Sequence, residues 1–384
     1  MKKLVLRAFA LAMTLALLAA ATLGNATIVV ATAPTTTSPS ALTVTTKPLY
    51  PTVTRQVWDT HTNSWTSWTT AAIGDTIFHR IESIVPLMTG FSSYVFTLEE
   101  SLRPGLTFDI SSVVVRVGGV PVTEGIDYTL QVLPQGQTNS FNIIFNPAIF
   151  ASYAPGDIIE VLYSGTLANV ANFGTAGNLA ETILQFSNDP QNSSSITRTA
   201  PAITNVFTLN FFVYKYTGTL GTDDRGLAGA EFELRTDPAD PTTAIAFARL
   251  NIGNQTQTAA FRVYAPPAGN RTQTMLTPES GRLHVSGLDA GVYYLIETVA
   301  PVGFNILEHP VRIVITNPNG DGEAVVTADG NPTVHRTVNV LNNAGTTLPG
   351  TGGIGNTIFI ITGLSIMGFA AVLLFWRRKA LVAK

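Results

Sequence analysis

The chain contains no cysteine, and charged residues make up only 12% of its 384 residues. The lack of cysteine excludes a disulfide scaffold and a thiolate metal site. The 45% of hydrophobic residues exclude a disordered, highly charged tail protein. No acidic residue precedes Asp59 or follows Asp329, and seven of the 22 basic residues lie at the two ends of the chain, in residues 1–7 and 377–384, which leaves 15 basic against 25 acidic residues in the rest of the chain. Because such a surface repels phosphate, no nucleic-acid partner is expected.

The N-terminal segment has the pattern of a secretion signal. Residues 1–31 begin with Lys2 and Lys3, continue with an apolar run and end in small residues. This order predicts a signal peptide that is cut after Ala26 or Ala31. An uncleaved membrane helix is the alternative, although the apolar run is shorter than the ~20 residues that a span needs.

The C-terminal segment has the pattern of a membrane stop. Residues 354–376 carry no charge, and the basic tail 377–384 begins at once with Arg377, Arg378 and Lys379. The length predicts one membrane-spanning helix, and the cations place its end in the cytoplasm.

A pentapeptide precedes that helix: Leu348, Pro349, Gly350, Thr351 and Gly352. It resembles the LPXTG sorting signal of Gram-positive surface proteins, in which motif, apolar span and basic tail follow in this order. The resemblance implies that a sortase cysteine attacks the Thr351 carbonyl, releases the segment from Gly352 onward and passes the chain to an amine. A simple membrane protein with one span is the alternative.

The region between the two ends predicts an all-β protein. Residues 32–47 are rich in Thr, Ser, Ala and Pro, which is typical of an extended stalk. Short alternating runs broken by Gly, Pro, Asn and Asp follow, and this spacing is typical of β-sandwiches. We expect two sandwich domains in tandem, at 48–193 and 205–343, joined by a linker at 194–204.

Three polar residues of the second domain occupy positions that alternation assigns to the core. Lys215 ends a run in which every other residue is apolar, Glu297 shares a face with two apolar residues, and Asn342 shares a face with two others. Because Lys and Glu are almost never fully buried without a partner, the pattern suggests a paired site. The alternatives are a position at the sandwich rim, or a plain ion pair of Lys215 and Glu297.

The sequence around Glu297 resembles a pilin motif. Residues 293–304 (YYLIETVAPVGF) resemble the E-box of Gram-positive pilins, with Phe304 in place of the usual Tyr, and residues 227–234 (LAGAEFEL) resemble the second strand of the collagen-adhesin B-type, or prealbumin-like, domain. The resemblance implies a spontaneous isopeptide bond from Lys215 to an asparagine of the last strand, assisted by Glu297. Asn342 matches best, and Asn339 and Asn343 are alternatives.

The first domain resembles the fimbrial collagen-adhesin A-type domain, through GLTF at 105–108 and FSNDP at 186–190. In that family a first-strand Lys is crosslinked to an Asn near the end of the domain, beside an Asp. Here Arg55 stands at the Lys position and Glu100 at the Asp position, with Asn188 or Asn178 as the would-be acceptor. Because a guanidinium stays protonated and is no nucleophile, we expect a buried or half-buried Arg55–Glu100 ion pair instead of a crosslink. An exposed, inert Arg55 is the alternative.

The lysine count singles out Lys47. The chain has six lysines, of which two would leave with the signal peptide and two with the anchor. If Lys215 reacts within its own domain, Lys47 is the remaining lysine that can receive the Thr351 acyl group of another subunit. Pilins carry the linking lysine in a VYPK motif, of which VTTK at 44–47 keeps only the Val and the Lys. A solvated stalk lysine is the alternative.

The combined patterns predict a secreted, wall-anchored structural subunit of a covalent pilus rather than an enzyme, with no metal and no cofactor. Its expected partners are a sortase, peptidoglycan, and other copies of itself or other pilins. The alternative function is an unpolymerised wall-anchored adhesin, or a minor pilin, that binds a host or matrix ligand.

Overall fold

The computed structural model describes residues 50–133, 139–250, 257–264, 271–344 and 362–372. Two β-sandwiches follow one another along the chain, each built from two packed sheets, so the predicted all-β fold is confirmed. Strand β4 shows how the sequence produces these layers. Along Thr76–Ile84 every second residue is buried, because successive side chains of a strand point to opposite faces.

The described residues of the first domain form thirteen strands and two short 3₁₀ turns, at Pro147–Ser152 and Gly174–Ala176. One sheet has the order β2-β1-β4-β10-β6-β7, and the other has the order β3-β13-β11-β5-β9-β8, with β12 added to β11. The strands are β1 (Thr54–Asp59), β2 (Ser64–Thr66), β3 (Trp68–Thr70), β4 (Thr76–Ile84), β5 (Phe96–Leu102), β6 (Asp109–Val117), β7 (Val120–Pro121), β8 (Tyr128–Val132), β9 (Asn139–Phe145), β10 (Ile158–Thr166), β11 (Asn178–Ser187), β12 (Ile196–Arg198) and β13 (Ala202–Phe207).

Outside the gaps at 251–256 and 265–270, the second domain forms thirteen further strands and one 3₁₀ turn at Pro241–Thr243. One sheet has the order β15-β14-β21-β18-β17-β19, with β26 paired to β14, and the other has the order β20-β16-β22-β23-β24-β25. The strands are β14 (Leu209–Thr217), β15 (Arg225–Gly226), β16 (Glu231–Arg235), β17 (Phe247–Leu250), β18 (Ala259–Val263), β19 (Arg271–Thr272), β20 (Met275–Leu276), β21 (Arg282–Leu288), β22 (Gly291–Val299), β23 (Val311–Thr316), β24 (Val325–Ala328), β25 (Asn331–Pro332) and β26 (Thr337–Leu341).

The boundary between the domains differs from the one expected at 194–204. Strands β12 and β13 both pair with β11, and β13 also pairs in parallel with β3, so both belong to the first domain. The polar stretch at 188–195 is therefore a loop inside the first domain. The second sandwich begins at Leu209, and only Thr208 separates β13 from β14.

The junction between the two domains is tight. Buried Thr208 donates from Oγ1 to the Leu288 carbonyl at 3.0 Å, and the Ile73 amide donates to the Gly287 carbonyl at 3.0 Å. Gly287 has φ +86°, and a Cβ at this position would lie 2.9 Å from Ile73 Cδ1. A glycine is therefore required both by the backbone conformation and by the close approach of the first domain.

Part of the predicted anchor lies in the described chain. Residues 362–372 form an α-helix, and the rest of the predicted span at 354–376 lies outside the described residues. Of the helices that the structure describes, none has both the length and the apolar character needed to cross a membrane. The predicted signal peptide, stalk and basic tail also lie outside the described residues.

Candidate functional site

The three polar core residues of the second domain come from its first strand, its last strand and the facing sheet. Strands β14 and β26 pair in parallel, with Lys215 opposite Val340, so the side chain of Asn342 follows just beyond the end of β26. Glu297 lies on β22 in the opposite sheet. The exposed fraction is 0% for Lys215, 5% for Glu297 and 2% for Asn342.

The three side chains meet at one carboxylate oxygen. Lys215 Nζ lies 2.9 Å from Glu297 Oε1, and Asn342 donates from Nδ2 to the same oxygen at 3.2 Å. The amine of Lys215 and the carboxamide of Asn342 are thus held on either side of one group that can exchange protons with both.

The loop that follows the E-box holds the Glu297 carboxylate in place. The Leu307 amide donates to Glu297 Oε2 at 2.8 Å, so the second carboxylate oxygen is also engaged. The same loop holds the end of the chain, since the Asn305 amide donates to the Asn343 carbonyl at 3.2 Å. The Asn342 amide in turn donates to the Tyr216 carbonyl at 2.8 Å. Backbone contacts therefore position both Glu297 and Asn342.

Burial makes the lysine a better nucleophile. Loss of water lowers the pKa of Lys215, and the neighbouring Glu297 only partly offsets this effect. The approach of Nζ to Oε1 is close but is not aligned as a hydrogen bond, and Nζ has no hydrogen-bond partner in the described parts of the chain. The Phe232 ring also lies near Nζ, 5.5 Å from Nζ to the ring centre. An apolar site of this kind favours the neutral amine.

The geometry separates the three candidate asparagines. Asn342 is buried beside Glu297, whereas Asn339 and Asn343 are exposed. Alternation along β26 explains the difference. Asn342 shares the inward face with Val338 and Val340, whereas the other two asparagines lie on the outward face. Only Asn342 of these three lies next to the Lys215–Glu297 pair.

The first domain holds Arg55 and Glu100 together in its own core. Arg55 on β1 and Glu100 on β5 come from opposite sheets, and Arg55 Nη1 lies 2.5 Å from Glu100 Oε1 with both side chains fully buried. Burial lowers the pKa of Arg55, but the charge of Glu100, the neighbouring Tyr163 and the hydrogen bonds to both together outweigh burial, so the net pKa is raised. The guanidinium therefore stays charged.

Four further residues complete this cluster, and sequence reasoning missed them. Arg55 donates to Thr204 Oγ1 at 2.9 Å, to Thr182 Oγ1 at 3.1 Å, to Tyr163 Oη at 2.8 Å and to His79 Nδ1 at 3.0 Å. Glu100 accepts from Tyr163 at 2.6 Å and from Thr182 at 2.5 Å. The inward position of His79 in the alternating strand β4 was the available sequence signal.

The two asparagines considered for the first domain lie elsewhere. Asn178 is buried, and its amide group is engaged by the backbone of Asn172 and Val206. Asn188 is half-buried and pairs with Thr197 and Ser195. Among the described residues, no hydrogen bond joins either asparagine to Arg55 or Glu100.

Two of the predicted sites lie outside the described residues. These are Lys47, the candidate for linkage between subunits, and the sorting signal at 348–352.

Comparison with known proteins agrees with this architecture. Residues 219–330 match the SpaA family, described as a prealbumin-like fold domain, and residues 341–380 match the LPXTG cell wall anchor motif. No curated protein sequence matches the chain.

Solved pilin structures share the fold. The 35 kDa C-terminal fragment of the major pilin GBS80 of Streptococcus agalactiae is 17% identical, with a TM-score of 0.53 over 77% of this chain and 100% of that one. The pilus backbone RrgB of Streptococcus pneumoniae is 14% identical, with a TM-score of 0.50 over 77% of this chain and 100% of that one. At these identities the likeness establishes the fold.

The anchor motif implies processing by a sortase and linkage to peptidoglycan, and hence a position on the cell surface. The chain is thus a secreted, LPXTG-anchored cell-wall protein that carries a SpaA prealbumin-like domain and is built on the fold of the Gram-positive pilins.

Proposed function

We propose that the chain is a structural subunit of a covalently assembled pilus, and that its second domain closes a Lys215–Asn342 isopeptide bond with the help of Glu297. The observation that supports this best is the buried meeting of all three side chains at Glu297 Oε1. A plain ion pair does not need Asn342, and a buried lysine without a covalent role is a costly core residue.

The proposed reaction is an amide exchange. Proton transfer from Lys215 to Glu297 converts the ion pair into a neutral amine and a neutral acid, which a core without water favours. Nζ then attacks Cγ of Asn342, Glu297 relays one proton from Nζ to the carboxamide nitrogen, and Nδ2 leaves as one ammonia. The new Nζ–Cγ bond replaces the Cγ–Nδ2 bond, so the only mass change is the loss of ammonia.

The bond would connect the two ends of the second domain. Strand β14 is its first strand and β26 its last, and they are direct neighbours. A covalent link between them keeps the domain closed when the chain is pulled at both ends. The chemistry runs once per chain, so the role is structural and not enzymatic.

Assembly in this proposal uses the two remaining groups. Thr351 supplies the acyl carbon after cleavage by the sortase, and Lys47 of another copy supplies the amine. The last subunit is transferred to peptidoglycan instead. This scheme accounts for one lysine inside a core and one lysine shortly before the first domain.

The test is a blot of wall extract released by muramidase from cells that produce the chain, probed with an antibody to the first domain. The proposal predicts a ladder of high-mass bands. One discrete band would contradict polymerisation and would favour the solitary wall-anchored adhesin.

A further inference from the structure

The path of tension through the chain runs through two pairs of terminal strands. A pull between the segment before Thr54 and the wall anchor enters the first domain at β1 and leaves it at β13. It then enters the second domain at β14 and leaves it at β26. Whatever joins β1 to β13, and β14 to β26, therefore decides which domain opens under load.

Arg55 joins the terminal strands of the first domain. It lies on β1, and its Nε donates to Thr204 Oγ1 on β13 at 2.9 Å, where Thr204 is 1% exposed. The two strands belong to different sheets, so no backbone ladder links them directly. The guanidinium also binds Glu100 on β5 and Thr182 on β11, the two strands that lie next to one another beside β13. A pull on β1 must therefore extract Arg55 from the opposite sheet.

We infer that the Arg55 cluster is a reversible mechanical clamp, and that the first domain is the part of the chain that lengthens under tension while the second domain stays closed. That the second domain stays closed rests on the proposed isopeptide bond. The clamp in the first domain rests only on the contacts of Arg55 with Glu100 and Thr204.

The physical basis is the difference between the two kinds of link. Hydrogen bonds and an ion pair break without chemistry and form again when the same groups meet, whereas an amide bond does neither. A buried charge without its partner is strongly unfavourable, so the clamp resists extraction of Arg55 until the two sheets separate and water reaches the charges. Once the tension is released, the same cost of isolated charges favours the return of the cluster.

The test is single-molecule pulling on intact cells that display the full chain. A peptide tag placed within 32–46 is held by the probe, and the wall holds the other end. Unfolding of Thr54–Phe207 at ~3.4 Å per residue gives a lengthening step of about 50 nm. The wild type should show one such step per chain, and the step should return after relaxation.

Two variants address the clamp. Thr204→Val removes only the hydrogen bond to β13, and Arg55→Met removes the whole clamp; both should shift the step to lower force. Ser112→Ala is the matched control, because it removes a hydroxyl that bonds β6 to β10, neither of which is a terminal strand. The first domain of the control should unfold at the same force as that of wild type.

The possible outcomes separate the two proposals. The clamp is overturned if the wild type lacks the step, or if the first domain of Thr204→Val unfolds at the same force as that of wild type. If Arg55→Met does not fold, the comparison of Thr204→Val with wild type still tests the clamp. A second step in the wild type contradicts the isopeptide bond and leaves the force comparison of the clamp valid. With the bond present, Glu297→Ala should add that second step.

Discussion

Lys215 and Glu297 face each other across the two sheets of the second domain, with Nζ 2.9 Å from Oε1 and neither side chain exposed. Burying two opposite charges costs several kcal/mol per ion before their attraction is counted. The proposed bond from Lys215 to Asn342 would remove the amine and leave a neutral amide, and so would relieve this cost. In this proposal, the burial that destabilises the unreacted domain is what favours the crosslink.

The crosslink should contribute measurably to stability. Glu297→Ala and Asn342→Ala both prevent the bond, and the chain-entropy estimate for closing a loop of roughly 130 residues is up to ~4–5 kcal/mol. Both variants should unfold at lower temperature and be cut faster by protease. Glu233→Ala, which breaks a partly exposed pair with Arg235 away from the site, is the control and should stay close to wild type. Equal melting temperatures for Asn342→Ala and the control would argue against the crosslink.

The ion pair of the first domain should be worth far more than a pair at its surface. Arg55→Met leaves Glu100 buried without its partner, which costs ~3–5 kcal/mol. Arg116→Met breaks the partly exposed pair with Glu160 and should cost less than about 1 kcal/mol. Denaturant unfolding of both variants measures the difference. Similar losses in the two variants would mean that water reaches the Arg55 cluster.

The domain junction should weaken in acid through His284, whose ring centre lies 5.3 Å from that of Phe173 in the first domain. Burial, with help from Arg262 and Arg336, lowers the pKa of this histidine to about 4, and its Nε2 contacts the Asn210 amide at 3.0 Å. An unfolded histidine binds its proton near pH 6.5, so between these values the unfolded chain holds the extra proton. The contribution of His284 is therefore complete above pH 6.5 and is lost as the pH falls towards 4.

This pH dependence is measured by comparing melting temperatures from pH 7 to pH 4. His284→Gln should show a smaller loss than wild type, whereas His309→Gln, at an exposed site, should follow wild type. Parallel curves for His284→Gln and wild type would contradict the assignment.

The two lysines of the mature chain should have separate roles. Lys47→Ala should abolish the ladder of high-mass bands in wall extracts, because no other lysine can receive the acyl group. Lys215→Ala should keep the ladder but lose the internal bond. A wild-type ladder from Lys47→Ala cells would move the linkage to another amine, such as the N-terminus.

Much of the second-domain site could be predicted from the sequence. Alternation placed Lys215, Glu297 and Asn342 on inward faces, and the E-box resemblance joined them into one site. Alternation favoured Asn342 over its neighbours at 339 and 343 but left both open, because the start of β26 and its partner strand were unknown. The parallel pairing of β26 with β14 places Asn342, and not the other two asparagines, beside Lys215.

The cluster of the first domain was only half predictable. Arg55 and Glu100 follow from the resemblance, but His79, Tyr163, Thr182 and Thr204 lie on four other strands, and Thr204 is 149 residues from Arg55. The sequence does not show which strands become neighbours over such distances. The same limit explains the boundary, since the apolar alternation of β13 continues into β14 and only strand pairing assigns β13 to the first domain.

The most direct test of the account is the intact mass of the ectodomain, expressed without its signal peptide and sorting signal. The Lys215–Asn342 bond predicts a mass lower than that of the sequence by one ammonia, and peptide mapping should place the loss on a peptide that joins these two residues. The Glu297→Ala variant should recover the full mass. A wild-type ectodomain with the uncorrected mass of its sequence would contradict the central claim.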